Sequence, residues 1–284
     1  MAQTNHKRVK VITVTGGKGG VGKSSVSLNV ATALCLLGKK VMLFDADLGL
    51  ANIDVMLGLK VDKNLGHVLN GECELEDIIQ TGPHGLRIVP ASSGLKQMVE
   101  LSVEQHAGLI RAFSNLKEDI DFLIVDTAAG ISDMVLSFCR AAQDVLMVVC
   151  NEPTSVADAY AQMKVLSRDY GVKKFKIVGN SLHSLDEGKL MYQKLVTVTE
   201  RFIDATLELV ACIPVDLNMR KAIRQRSCVV DVFPTSPAAR AFKTLANRIT
   251  TWPIPEVAGG HLEFFVENLI NNKQKEQKIQ IRQQ

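Results

Sequence analysis

No two cysteines in this sequence are spaced C-x-x-C. The six present are Cys35, Cys73, Cys139, Cys150, Cys212 and Cys228. Cys139, Cys150 and Cys212 lie in apolar runs and read as small core residues. A reducing compartment fits this usage, whereas a disulfide framework or a metal knuckle does not. Long hydrophobic runs are missing too. The longest mostly apolar stretch, Val30–Leu37, falls far short of the ~20 residues a membrane span needs. The first ten residues are polar and basic, with no apolar segment of the kind a secretory signal carries. Charge of one sign is scarce: the formal net charge is +3 over 284 residues, too little to argue for nucleic acid by itself. There is no internal repeat and no low-complexity block. These absences leave a cytoplasmic chain, and its 46% hydrophobic content suffices for one sizeable core.

What is present alternates. Short β-branched runs are expected as strands at Val9–Thr15, Val41–Asp45, Leu86–Pro90, Phe122–Asp126, Val145–Cys150, Phe175–Gly179 and Leu209–Ile213. Several are apolar on consecutive residues, the mark of parallel strands buried on both faces. Helical patterns lie between them at Lys23–Leu37, Val103–Leu116, Ser132–Ala142 and Ser155–Tyr170. Alternating β and α segments predict an α/β fold with a doubly wound, mostly parallel sheet and helices on both faces. Ligands of such sheets bind beyond the carboxyl ends of the strands.

The first strand runs into a glycine-rich loop, and Gly17 to Ser24 satisfies G-x-x-x-x-G-K-[ST]. Gly17, Gly19, Gly20 and Gly22, with Val21, let backbone N–H groups curl around phosphate oxygens. The helix beginning at Lys23, Ser24 and Ser25 adds its positive dipole end. Lys23 neutralises phosphate charge, and the Ser24 hydroxyl can ligate Mg²⁺. A second lysine, Lys18, has no work to do in its own cradle. It is either a solvated side chain or one that reaches a nucleotide held by a second subunit, where it would stabilise transition-state charge as an arginine finger does. Two strand ends complete the set. Asp45 and Asp47, two residues apart in an extended segment, share one face and can hold Mg²⁺ through water or orient a water. Asp126 closes an apolar strand in Walker B form, and Gly130 shortly after it lets a backbone N–H approach a γ-phosphate.

Lys18 with Lys23-Ser24, Asp45-Ala-Asp47 and Asp126-Thr-Ala-Ala-Gly130 resemble the deviant Walker A ATPases of the MinD/ParA class. Leu43–Asp54, Asp126–Ser132, Glu152–Tyr160 and Gly260–Val266 resemble, more narrowly, the FlhG/FleN flagellar-number regulators. The resemblance spans nearly the whole chain. It implies a MinD-like P-loop fold, ATP/ADP and Mg²⁺ as cofactors, slow hydrolysis in an ATP-dependent homodimer, and restraint of flagellar number. It also implies antagonism of a flagellar enhancer-binding AAA+ transcription activator and peripheral attachment to the inner face of the cell membrane, at the pole in some cells. In some bacteria such proteins also act on a signal-recognition-type GTPase and on switch-ring proteins. The D-Q-A-x-x-L-R segment with which many members stimulate that GTPase is not found before the first strand. By position, Lys18 resembles the signature lysine, Asp47 the water-activating residue, and Asp45 and Asp126 the Mg²⁺-shell carboxylates. Glu152 and Asp158 match positions near the dimer interface. Asn180, with Pro214, Val215 and Asp216, stands where the family reads the adenine base.

Residues 1–10 read as a short basic tail, 11–255 as the ATPase domain, 260–272 as an amphipathic helix and 273–284 as a basic tail. Leu262, Phe265, Val266, Leu269 and Ile270 fall on one helical face. Phe264 lies on the polar side with Glu263 and Glu267. A membrane anchor accounts for all six apolar residues, and docking on the domain accounts for the five. Two other function classes share this scaffold. A DNA-partitioning ATPase would need a basic face, for which Arg220-Lys221 and Arg224-Gln225-Arg226 are the candidate stretch, although a solvated helix explains them more simply. Direct specific DNA binding is not expected. An iron–sulfur carrier would need cysteines placed to ligate across a dimer axis.

Overall fold

The computed structural model describes residues 8–91, 103–114, 116, 118–254 and 264. Its strands are β1 (Lys10–Thr15), β2 (Val41–Ala46), β3 (Gln80–Thr81), β4 (Arg87–Val89), β5 (Phe122–Thr127), β6 (Asp144–Cys150), β7 (Lys174–Leu182) and β8 (Thr206–Pro214). They form one sheet in the order β3-β4-β2-β5-β1-β6-β7-β8. Every neighbouring pair is parallel except β3–β4. The seven strands expected from β-branched runs are present. The eighth, β3, is a two-residue antiparallel edge, too short for any periodicity to mark. All residues of β1, β2 and β5 are buried, which explains their continuous apolar runs.

The helices are α1 (Lys23–Leu36), α2 (Ile53–Leu57), α3 (Leu65–Leu69), α4 (Val103–Ser114), α5 (Asp133–Ala141), α6 (Pro153–Tyr170), α7 (Leu185–Phe202), α8 (Leu217–Arg224), α9 (Val229–Val232) and α10 (Pro237–Ile249). On one face of the sheet α1, α9 and α10 close a core that includes Ile12, Val14, Leu34 and Phe242. Helix α1 has no polar face because it is enclosed between the sheet and α10: Val26 through Cys35 are all buried. On the other face α4 and α5 pack around Phe44, Phe113 and Phe138. Beside them α6 and α7 pack around Met147, Met163 and Leu195. Serine caps start α7 and α10: Ser184 Oγ accepts from Glu187 N at 3.1 Å, and Ser236 Oγ from Ala239 N at 3.3 Å with Pro237 next in line.

One expectation at the C-terminus is corrected. Phe264, read as a lipid contact, is 1% exposed. Its ring meets Phe113 edge-on at 5.4 Å and stacks on Phe138 at 6.1 Å, and its N–H donates to the Ala141 carbonyl at 3.3 Å. A phenyl ring gains more from an aromatic pocket than from an interface shared with glutamates. At that residue the C-terminal segment is part of the domain core. Leu262, Phe265, Val266, Leu269 and Ile270 lie outside the described residues. Among the described residues no helix is long and apolar enough to cross a membrane.

Candidate nucleotide-binding site

Strand β1 lies between β5 and β6, so the strand order reverses beside it. The loop that follows, residues 16–22, opens at that crevice, the place where open α/β sheets bind ligands. Two of its positions need glycine outright. Gly22, at φ 93°, turns the chain into α1, and a Cβ there would sit 2.4 Å from Asn180 Nδ2. At Gly17 a Cβ would come within 2.2 Å of the Asp158 carbonyl carbon, because the loop rests on the backbone of α6. Lys23, on the first turn of α1, is buried, and that burial holds its ammonium below the usual lysine range. Asp126 and Asp47 oppose the shift. An anionic ligand would restore the charged form.

The two strand-end carboxylates are neighbours by register, Asp45 on β2 opposite Asp126 on β5. Both are buried, and that burial raises both pKa values, with repulsion from Asp126 adding to the shift of Asp45 and repulsion from Asp47 adding to that of Asp126. Their surroundings differ. Asp45 Oδ1 accepts from Asp47 N at 3.2 Å, and Oδ2 accepts from Asn52 N at 3.0 Å and Ile53 N at 3.1 Å. Asp45 thus anchors the turn into α2, a use the spacing did not reveal. Asp126 Oδ1 accepts from Ser27 Oγ at 2.8 Å, and the Ser24 hydroxyl also bonds to the carboxylate. Its Oδ2 is buried without a hydrogen-bond partner. An orphaned carboxylate oxygen beside Ser24 and a second buried acid suits a divalent cation. Mg²⁺ therefore fits Ser24 and Asp126 best, with Asp45 behind them. Asp47 is half-buried, its pKa raised by that burial, with one oxygen accepting from Leu50 N at 3.3 Å.

Lys18 and Glu152, both expected near a partner subunit, meet each other in this chain. Lys18 Nζ lies 2.7 Å from Glu152 Oε2 and 3.0 Å from Thr154 Oγ1, and the contact with Glu152 raises the lysine pKa. Both side chains keep solvent access, 38% and 60%, so the pair is weak and exchangeable. Gly130, at φ 96°, donates its N–H to the Gly16 carbonyl at 3.2 Å. The segment after β5 is thereby closed onto the phosphate loop, beside the γ-phosphate position that Gly130 is expected to approach.

The base-side residues also make contacts within the chain. Asn180 Nδ2 donates to the Val21 carbonyl at 2.8 Å. Through that nitrogen the amide buttresses the phosphate loop. Asp216 caps α8 through Asn218 N at 2.9 Å and reaches Ala238 N at 3.1 Å. Burial opposes its ionisation, but those N–H donors outweigh it and hold the pKa low. Of that loop, Val215 is the open surface, 49% exposed after Pro214.

A second tier of residues escaped sequence reasoning. Gln162 Nε2 donates to Thr15 Oγ1 at 2.8 Å, and Thr127 Oγ1 lies 3.0 Å from the same hydroxyl. All three are fully or almost fully buried. Thr154, Asp158 and Gln162 are spaced i, i+4, i+8, so one stripe of α6 touches Lys18, Gly17 and Thr15 in turn. The only advance signal was that a glutamine sat in an otherwise buried helix face.

With this geometry in view, comparison with known proteins decides the family. The model for ParA (NUBPL iron-transfer P-loop NTPase) matches residues 7–250. The antiactivator FleN of Pseudomonas aeruginosa is 54% identical over 93% of this chain and 94% of its own. The chain belongs to the FlhG/FleN group of the ParA family of P-loop NTPases. The flagellum site-determining protein YlxH of Helicobacter pylori is 32% identical over 93% of this chain and 88% of its own. Among solved structures, the septum site-determining protein MinD of Pyrococcus horikoshii, complexed with Mg-ADP, has a TM-score of 0.71 at 25% identity, covering 86% of this chain and 97% of that one. The fold is thus MinD-like. Membership of this family implies ATP hydrolysis, with a nucleotide and Mg²⁺ as cofactors. Among the described residues no group of three or more His, Cys, Asp or Glu side chains is placed to hold a metal ion.

Proposed function

We propose that this chain is a slow regulatory ATPase whose ATP-dependent homodimer restrains flagellar number by antagonising an enhancer-binding AAA+ transcription activator. The observation that carries the reading is the 54% identity to an antiactivator over almost the full length of both chains. The site supports it. In the phosphate loop, N–H groups and the start of α1 bind the phosphates, and Lys23 regains its charge against them. Ser24 and Asp126 would hold Mg²⁺, which would offset the charge of the phosphates. Asp47 orients the attacking water. Gly130 exchanges the Gly16 carbonyl for a γ-phosphate oxygen. Lys18 leaves Glu152 for the nucleotide of the second subunit, so each site is complete only in the dimer.

Exposed aliphatic side chains lie along the segments that follow β2 and β5: Leu50 at 74%, Val55 at 70% and Ile131 at 54% exposure. A second copy would cover them. Membrane attachment cycles with pairing: the segment around Phe264 is docked without ATP and leaves for the inner face of the membrane in the dimer. Removing residues 260–284 abolishes liposome binding and spares dimerisation. The function is tested by deleting the gene and counting flagella per cell. Extra flagella, corrected by the wild-type chain and not by Lys23→Ala, are expected. An unchanged count contradicts the reading.

A further inference from the structure

Helix α8 carries a group of charges that nucleotide chemistry does not use. Arg220, Lys221, Arg224 and Arg226 are all exposed, and among the described residues none forms an ion pair. No acidic residue lies between Asp216 and Asp231. Both of those acids are engaged internally: Asp216 on the N–H groups of α8 and α10, and Asp231 with His84 Nε2 at 2.7 Å and Ser227 Oγ at 3.2 Å. The helix is held by buried Ala222 and partly buried Met219. Leu217, Arg220, Lys221 and Arg224 recur at i, i+3, i+4 and i+7, so they share one outward face.

Arg226 shows that this face is built and not merely solvated. It follows the Gln225 C-cap and takes φ 53°, with its N–H on the Ile223 carbonyl at 3.0 Å and the next N–H, of Ser227, on the Ala222 carbonyl at 3.1 Å. This is the left-handed helix stop that glycine fills without strain. Helices α2 and α6 end on Gly58 and Gly171 in that conformation. Helix α8 keeps an arginine there instead. Its side chain packs along the opposite loop: a Cβ on Gly58 would lie 2.4 Å from Arg226 Cδ, 3.2 Å from Nη1 and 3.3 Å from Nε. An arginine in a backbone conformation that glycine would hold without strain points to a use for its side chain.

We propose that α8 and Arg226 form a docking surface for an acidic, partly apolar segment of a partner protein. The inference rests on the reading above and assigns the activator to this surface. Guanidinium groups pair bidentately with carboxylates. Leu217 at 70%, Val215 at 49% and Ile223 at 40% exposure sit among the cations. Aliphatic side chains gain from a protein surface and nothing from a phosphate backbone, which favours protein over nucleic acid. The surface adjoins residues 214–216, so it lies at the nucleotide-binding edge of the sheet.

The test measures binding of the purified full-length activator to the full chain with ATP, in wild type, Arg220→Glu/Arg224→Glu and Arg226→Gly. The charge-reversed pair is expected to lose about tenfold or more in affinity and to flatten the salt dependence, with ADP affinity and ATP-dependent mass unchanged. Arg226→Gly is expected to melt higher, because strain is relieved, yet to bind severalfold more weakly. That opposition distinguishes docking from a structural role. If wild type and charge-reversed protein bind the activator equally, the surface assignment falls and the functional reading stands. If wild type does not bind the activator at all, both fall. If a short duplex DNA binds wild type more tightly than the activator does, and loses binding on charge reversal, the surface belongs to nucleic acid and the proposal is overturned.

Discussion

The two edges of the sheet answer the same problem, buried charge, in opposite ways. At the amino edge, Lys10 is 2% exposed and fully partnered: it pairs with Asp144 and donates to the Pro253 carbonyl at 2.5 Å. Lys176 joins the cluster through Asp144 at 3.9 Å, pairs with Glu208 at 3.0 Å and lies 4.1 Å over the Trp252 ring. At the carboxyl edge, Lys23 is buried at a lowered pKa, and Asp45 and Asp126 face each other at raised ones. Among the described residues, the buried Oδ2 atoms of both Asp126 and Asp144 lack a hydrogen bond, but that of Asp144 has Lys10 as its ion-pair partner and that of Asp126 has none. The amino edge thus pairs its charges within the chain and ties down the segment leaving α10. The other is complete only with something added. Unmet electrostatic demand, more than any cavity, marks where function lies.

Substitutions can break that contrast. Lys23→Ala has the largest expected effect: ATP affinity falls by about 100-fold or more by fluorescent-nucleotide titration, because the phosphates lose their charge-assisted donor. Unchanged affinity would refute the loop assignment. Lys10→Met is expected to lower stability by about 2 kcal/mol in urea unfolding, because Asp144, partly buried, keeps only Lys176 at 3.9 Å as a cation. Nucleotide affinity should move little, since the amino edge serves the fold alone.

The pH dependence of the nucleotide-free protein gives a smaller effect with a definite sign. Asp45 and Asp126 have folded-state pKa values above their unfolded ones. Their contribution to stability is full below the unfolded carboxylate range and is lost as pH rises through the raised values. Melting temperature is therefore expected to fall between about pH 5 and about pH 8, with Mg²⁺ and ADP reversing the trend and Asp126→Asn flattening it. A nucleotide-free melting temperature that climbs over this window would contradict the electrostatic picture. Gln162→Met is the smallest, about 1 kcal/mol of stability for the lost bond to Thr15. A larger fall in turnover than in ADP affinity would show that the α6 stripe also positions the loop.

Legibility in the sequence followed the same division. Consecutive apolar residues marked β1, β2 and β5, and the glycine pattern marked the phosphate loop, since both follow from local backbone physics. Lys18 stood out as a second lysine with no local task, but not that Glu152 and Thr154 hold it, because that contact joins residues more than 130 positions apart. Asn180 and Asp216 were read as facing a base, and their hydrogen bonds to the chain itself are tertiary facts that residue type does not encode. Phe264 misled for a related reason. On a helical projection it falls on the polar side, and only the pocket formed by Phe113 of α4 and Phe138 of α5 makes it a core residue.

The central claim is that the carboxyl edge is completed by ATP and a second copy of the chain. Its most direct test is the solution mass of Asp47→Ala by size exclusion with light scattering, first with Mg²⁺ and ADP, then with Mg²⁺ and ATP. A monomer with ADP and a dimer with ATP is the expected result, with the dimer lost on adding Lys23→Ala. One mass under both nucleotides would contradict the account.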